Sequence, residues 1–219
     1  MNLCQSLVPV VSKAIYVDQT TLGKSLGQAP TKATDGRRQR SLDSRARIIQ
    51  AMVDLVREGV VLPNAEQVAE RAKVGLRSVF RHFKDMDSLF RELTNRVENE
   101  ARDSLLSLPT GDTAGERLTE LVNRRCSMFD RISPFYISGQ AYMAKSEFLT
   151  KDSQRQFKFL REILKQALTP ELVARTERFE ALDALLSVHT WIRLRRDQGL
   201  DFDQAKAVVQ HTALLLIQN

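Results

Sequence analysis

Cysteine is nearly absent. Only Cys4 and Cys126 occur in 219 residues. Two such thiols build no disulfide framework, which removes the cysteine-stapled secreted scaffolds and makes a reducing cytoplasm the default setting. Glycine (9) and proline (6) are few. So few breakers favour long helices. The longest run of large aliphatic side chains is Leu214–Ile217, against the roughly 18 apolar residues that a membrane-spanning helix needs. No membrane partner is expected. Catalytic motifs are missing as well. His82, His189 and His211 stand in no HExxH pattern, and neither cysteine has a metal ligand at useful spacing. There is no glycine-rich phosphate loop and no nucleophile elbow. An enzyme, a metal site and a cofactor are therefore not expected.

What remains is an ordinary soluble globular balance, with 42% hydrophobic and 27% charged residues. A chain of this length buries a sizeable core unaided. The formal charge is +6, and the excess sits early: +3 over residues 1–44 and +2 over 45–90, against +1 over 91–219. A polyanion partner would be sought in the first ninety residues. Residues 1–43 read as a disordered or extended tail, polar and without sustained period around Gly23–Gly36. The tail lacks the basic start and cleavage site of a signal peptide. A second reading has its Arg37-Arg38-Gln39-Arg40 cluster touching a DNA backbone or minor groove.

From residue 44 the pattern turns helical. Ile48, Ile49, Met52, Val53 and Val56 recur at three- and four-residue spacing, with Ser44 as the expected N-cap and Gly59 as the stop. Asn64 caps a short second helix, with Gln67 completing a capping box. A break at Lys73-Val74-Gly75 leads to a third helix over 76–83, and Asp85 caps a long fourth over 86–108. Further helices are expected over 115–131, 134–148, 152–168, 171–198 and 202–218, with a separator at Ser133-Pro134. No alternating strand run is present. The expected fold class is all-α.

Residues 64–89 hold two short helices joined by a tight turn, with small residues (Ala69, Ala72) where they cross. That is the layout of a helix-turn-helix, whose second helix enters the major groove. Val79, Phe80 and Phe83 supply apolar bulk, and Arg77, Ser78, Arg81 and His82 supply hydrogen-bonding groups. The run Val68-Ala69-Glu70-Arg71-Ala72-Lys73-Val74-Gly75-Leu76-Arg77-Ser78-Val79-Phe80-Arg81-His82-Phe83-Lys84-Asp85-Met86-Asp87-Ser88-Leu89 resembles the TetR family of bacterial transcriptional regulators. The first helix and the stretch from Trp191 to Leu200 are also similar to that family. The resemblance is strong over about 45–90 and extends to 219 mainly as helix order.

The chain departs from the family pattern at four places. Lys73 stands where the family has a turn glycine, so it is either ordinarily helical or slightly strained. Gly75 replaces the serine cap. Phe80 replaces a tyrosine whose hydroxyl often meets a phosphate. Met86 replaces a lysine, for which Lys73 or Lys84 would substitute electrostatically. The resemblance implies a helix-turn-helix domain over 44–90 and a helical effector-binding and dimerisation domain over 91–219. It also implies a homodimer on a palindromic double-stranded DNA operator, released by a small, apolar effector. The candidate DNA-contacting residues are Arg45, Asn64, Lys73, Gly75, Arg77, Ser78, Phe80, Arg81, His82 and Lys84. Each has a plainer alternative: solvated surface for Arg77, Ser78 and Arg81, a cap for Asn64, packing between helices for His82. The other outcome is a TetR-like ligand-binding or adaptor protein with weakened or lost DNA binding, which Lys73, Phe80 and Met86 motivate.

Beyond residue 90 large apolar side chains cluster in the middle helices. Plain core packing is one reading. The resemblance implies a ligand cavity, with Arg125, Phe129, Tyr136, Gln140, Tyr142, Met143, Phe157 and Trp191 as candidates. It also implies a dimer interface from the last two helices, through Leu182, Leu185, His189, Ile192, Val208, Val209, Thr212, Leu215 and Leu216. Closure of the protomer's own core is the alternative.

Overall fold

A computed structural model describes residues 32–218. Ten α-helices run in order: α1 Lys32–Arg57, α2 Ala65–Ala72, α3 Leu76–His82, α4 Met86–Leu106, α5 Ala114–Met143, α6 Glu147–Ala167, α7 Pro170–Ala174, α8 Thr176–Leu185, α9 Val188–Ile192 and α10 Phe202–Ile217. One π-helical turn, Arg193–Asp197, follows α9. No strand occurs among the described residues, and none of their helices is long and apolar enough to cross a membrane. The fold is all-α.

Several boundaries follow from local chemistry. At the end of α1, Gly59 takes φ 93°, with Val60 N–H donating to the Leu55 carbonyl at 3.0 Å and Gly59 N–H to that of Val56 at 3.1 Å. This paired closure is the Schellman arrangement, which needs the left-handed conformation that glycine adopts freely. Asn64, Asp85, Thr113 and Asp201 each close a capping box on the helix they precede.

Three expectations are corrected. The first helix begins at Lys32, not Ser44, so residues 32–43 are helical rather than a tail; residues 1–31 lie outside the described residues. Ser44 is no cap, since its hydroxyl donates one turn back to the Arg40 carbonyl at 2.9 Å. Arg37, Arg38 and Arg40 stand on exposed turns. Those turns bury no face. Local bonds run along them, from Gln39 to Asp43 at 2.9 Å and from Arg40 Nε to the Gly36 carbonyl at 3.1 Å, which an apolar-period reading does not register.

Next, α5 runs unbroken through Pro134. The ring removes one N–H from the helix. Buried Met128 and Phe129 before it, and Phe135 and Tyr136 packed on the cores after it, hold the axis across the gap. Finally, the stretch expected as a single helix over 171–198 is divided into α7, α8, α9 and the π-helical turn. Ser187 makes the break between α8 and α9: its hydroxyl donates to the Ala184 carbonyl at 2.7 Å and accepts from Thr190 N–H at 3.3 Å.

Two apolar clusters organise the molecule. The head core gathers Ile48, Met52, Val56, Val68, Val79, Phe83 and Leu89 from α1–α4. The body core gathers Leu118, Val122, Phe129, Leu164, Leu182, Trp191 and Val209 from α5 to α10. The long helices α4, α5 and α6 join them. Phe90 and Leu93 of α4 and Leu149 of α6 all belong to the head core, so the elements of the body reach directly into the head.

Candidate nucleic-acid interface and adjoining cavity

The α2–α3 pair is built by caps and one unusual residue. The Asn64 side chain accepts from Gln67 N–H at 2.9 Å, and the Gln67 side chain accepts from Asn64 N–H at 3.0 Å. Lys73 closes α2 in the left-handed region, at φ 53° and ψ 48°. Val74 N–H donates to the Ala69 carbonyl at 3.0 Å and Lys73 N–H to that of Glu70 at 3.1 Å. This is the same closure as at Gly59, made by a lysine that bears the Cβ penalty. Of the two conformations open to Lys73, the strained one is adopted. Gly75 precedes α3 in extended conformation and supplies no side-chain cap.

α3 then divides cleanly. Val79 and Phe83 are buried in the head core. Arg77, Arg81 and the flanking Lys73 and Lys84 are exposed, while Ser78 is half-buried. Leu76 and Phe80, one turn apart, remain 39% and 48% exposed. The outward face therefore carries four cations around a small apolar ridge.

His82 is half-buried, and its Nε2 has no hydrogen-bond partner. Burial, with the charges of Arg81 and Arg45, holds its pKa below the ordinary value. Arg45 lies behind the face. It grips Glu92 of α4 with both terminal nitrogens, at 3.2 and 2.7 Å, and lies over the Phe83 ring at 5.1 Å. Its first role is thus to clamp α1 to α4, and a phosphate would have to compete with Glu92. Met86 packs against the head core; apolar contact explains the loss of the lysine expected there.

Between α4, α5 and α6 lies a cavity of about 150 Å³. Phe90, Leu93, Val97 and Ala101 of α4 form one wall, facing Ile132, Phe135 and Met143 of α5 and Leu149, Phe159 and Leu160 of α6. Three expected residues line it: Tyr136, Gln140 and Met143. Gln140 donates to the Tyr136 hydroxyl at 2.7 Å, which also bonds His189 Nε2 at 2.7 Å. Burial pushes the Tyr136 phenol up to about 12.

The other five candidates stand elsewhere. Phe129 and Trp191 fill the body core. Tyr142 stacks on Phe90 at 4.2 Å, outside the cavity wall, and Phe157 is exposed beside His189. Arg125 is buried and donates to the carbonyls of Leu186, at 3.0 Å, and Leu160. It ties the end of α8 to α6, and burial pulls its pKa down to about 10.

A polar corner escaped the sequence reading. Glu98 of α4 meets Asp152, Arg155 and Gln156 of α6, all four lining the cavity. Arg155 bonds Glu98 at 3.1 Å and also Asp152, while the Gln156 amide donates to Glu98 at 2.7 Å and Asp152 at 2.8 Å. Burial, then the Asp152 charge, pushes the Glu98 carboxyl above its ordinary range, against the pull of Arg155. A local signal did exist: Asp152 and Gln156 occupy the apolar stripe of α6 between Leu149 and Ile163. A carboxylate on a buried stripe needs a partner or a purpose.

The proposed dimer residues also separate. Leu182 and Val209 are buried in the protomer's own body core, a correction to their assignment as partner-facing residues. Leu185, Ile192 and Leu216 are partly buried against that core. Val208 and Leu215 remain 42% and 51% exposed, with Thr212 half-buried between them and His189 exposed.

An all-helical protein with a helix-turn-helix head and a cavity-bearing helical body is the class that these features define. No family model and no curated protein matches the chain. Solved structures do match it: the crystal structure of a TetR-like transcriptional regulator from Rhodococcus sp. RHA1 is similar over 85% of this chain and 97% of that one, with a TM-score of 0.51 and 13% identity. At that identity the likeness establishes the fold, which is TetR-like.

Proposed function

We propose that the chain is a cytoplasmic DNA-binding transcriptional regulator, a repressor acting as a homodimer on a palindromic operator and released by a small, largely apolar effector. One observation carries this reading: α3 and its C-cap bury Val79 and Phe83 and turn Arg77, Arg81 and their flanking lysines to solvent. A helix so divided is held rigidly from behind while its cations meet phosphates and base edges. Residues 44–90 act as the reading head and 91–219 as the effector-binding and dimerisation body.

The apolar cavity suits a small ligand. Phe90, Leu93 and Leu149 line that cavity and belong to the head core. A ligand that favours one packing of these side chains shifts α4, and with it the spacing of two heads in a dimer. Val208, Thr212 and Leu215 give α10 an outward stripe for the twofold contact, which would set the recognition helices roughly 34–36 Å apart.

The test is binding to DNA from the region upstream of the chain's own gene, titrated with salt. Neutralising Z phosphates gives a log–log slope of about −0.9Z. Arg77→Ala should weaken specific binding by about 1–3 kcal/mol if it reads a base. A flat salt response overturns the reading, and an unchanged operator preference in the variant removes Arg77 from it.

A further inference from the structure

The cavity's charge is unbalanced. Its charged lining groups among the described residues are Glu98, Asp152 and Arg155. Among the described residues two carboxylates therefore face one guanidinium, a formal deficit of one positive charge in an otherwise largely apolar space. The Asp152 side chain is only 5% exposed, whereas Arg155 is appreciably open to solvent. Gln156 does not cure the deficit. Its amide bridges both carboxylates, at 2.7 and 2.8 Å, and so holds two like charges together. Buried like charges are costly unless a proton or a cation joins them. Burial, and then the Asp152 charge, raise the Glu98 carboxyl above its ordinary range, in keeping with that cost.

We propose that the cavity takes a cationic effector, an amine or related monocation on an apolar body about the size of one aromatic ring, with its charge set between Glu98 and Asp152. The size follows from about 150 Å³ of space, on the scale of cavities that hold benzene. The two carboxylates lie on different helices, Glu98 on α4 and Asp152 on α6. A cation between them adds a tie between α4 and α6 and so biases the packing of α4 on which the proposed regulation depends. The inference rests on that functional reading for its consequence, but the binding chemistry stands alone.

Benzylammonium, benzyl alcohol and benzoate share a ring and differ in charge. Thermal unfolding of the whole chain with each, at millimolar concentration and neutral pH, tests the proposal without any variant. The expected result is a concentration-dependent rise in Tm with benzylammonium, smaller with the alcohol and absent with benzoate. Glu98→Gln and Asp152→Asn, each keeping shape while removing a charge, should weaken benzylammonium binding at least tenfold and narrow the gap to the alcohol. Benzoate binding as tightly as the amine, or no response to the amine, overturns the proposal. The operator titration is read separately. If benzylammonium binds but leaves DNA affinity unchanged, the cation site stands and the effector mechanism falls. If DNA binds and the amine does not, only the cation site falls.

Discussion

Lys73 holds a backbone conformation that costs a residue with a Cβ roughly 1–2 kcal/mol, at φ 53°. Its ammonium is also exposed on the face proposed to meet DNA. Lys73→Gly should therefore separate two properties. The folded state loses the strain, while the unfolded chain gains about 0.4–1 kcal/mol of freedom, for a net stabilisation of about 0.5 kcal/mol by urea titration. DNA affinity should fall, and the salt slope should shrink by about 1. A variant less stable than the parent would show that the lysine side chain contributes more than its backbone costs.

His82 carries a second residue-scale consequence. Its folded pKa lies below the ordinary 6.5, because burial disfavours the imidazolium. The unfolded chain thus takes up the proton more readily. This contribution to stability is complete above pH 6.5 and is lost as pH falls from there through the lowered value. His82→Gln should flatten the fall in urea midpoint between pH 7.5 and 5.5. An identical fall in parent and variant would place the titrating group elsewhere.

At the scale of elements, caps decide where helices begin, and Asn64 joins a cap to a proposed contact surface. Asn64→Ala removes the side-chain acceptor for Gln67 N–H and should cost about 1 kcal/mol. Asn64→Asp keeps the cap and should retain stability. The aspartate would repel a nearby phosphate, so reduced DNA affinity at unchanged stability identifies a contact, while unchanged affinity leaves Asn64 as a cap alone. Arg125 shows how differently another element boundary is made. The carbonyl freed where α8 stops is met by a guanidinium from α5, 61 residues away. No inspection of residues 182–190 would find that bond.

For the whole molecule, the outward stripe of α10 bears on assembly. Val208→Glu with Leu215→Glu places two charges where the parent exposes apolar side chains. The fold should survive, since neither residue is in the core. Sedimentation should show monomer where the parent is dimer, and operator affinity should fall by a hundredfold or more as the paired heads separate. A monomeric parent would overturn the homodimer reading, and a dimer that tolerates both substitutions would move the interface off α10. Tyr136 and His189 connect this region to the cavity through their 2.7 Å bond, so a ligand touching Tyr136 also reaches the edge of the proposed interface.

Helix class, the α2–α3 turn and the caps at Asn64 and Asp85 could be read from the chain because each depends on neighbours within four residues and on one apolar period. The same locality placed Arg77 and Arg81 of α3 opposite Val79 and the capping Phe83. The cavity's polar corner could not be read that way. Glu98 and Arg155 are 57 residues apart, and only the packing of α4 against α6 turns two ordinary surface residue types into one charged cluster. Packing likewise drew Leu182 and Val209 inward, carried α5 through Pro134 and divided the 171–198 stretch at Ser187. An apolar stripe states that a face will be buried; which neighbour buries it depends on contacts distant in the chain, and those form only when the helices meet.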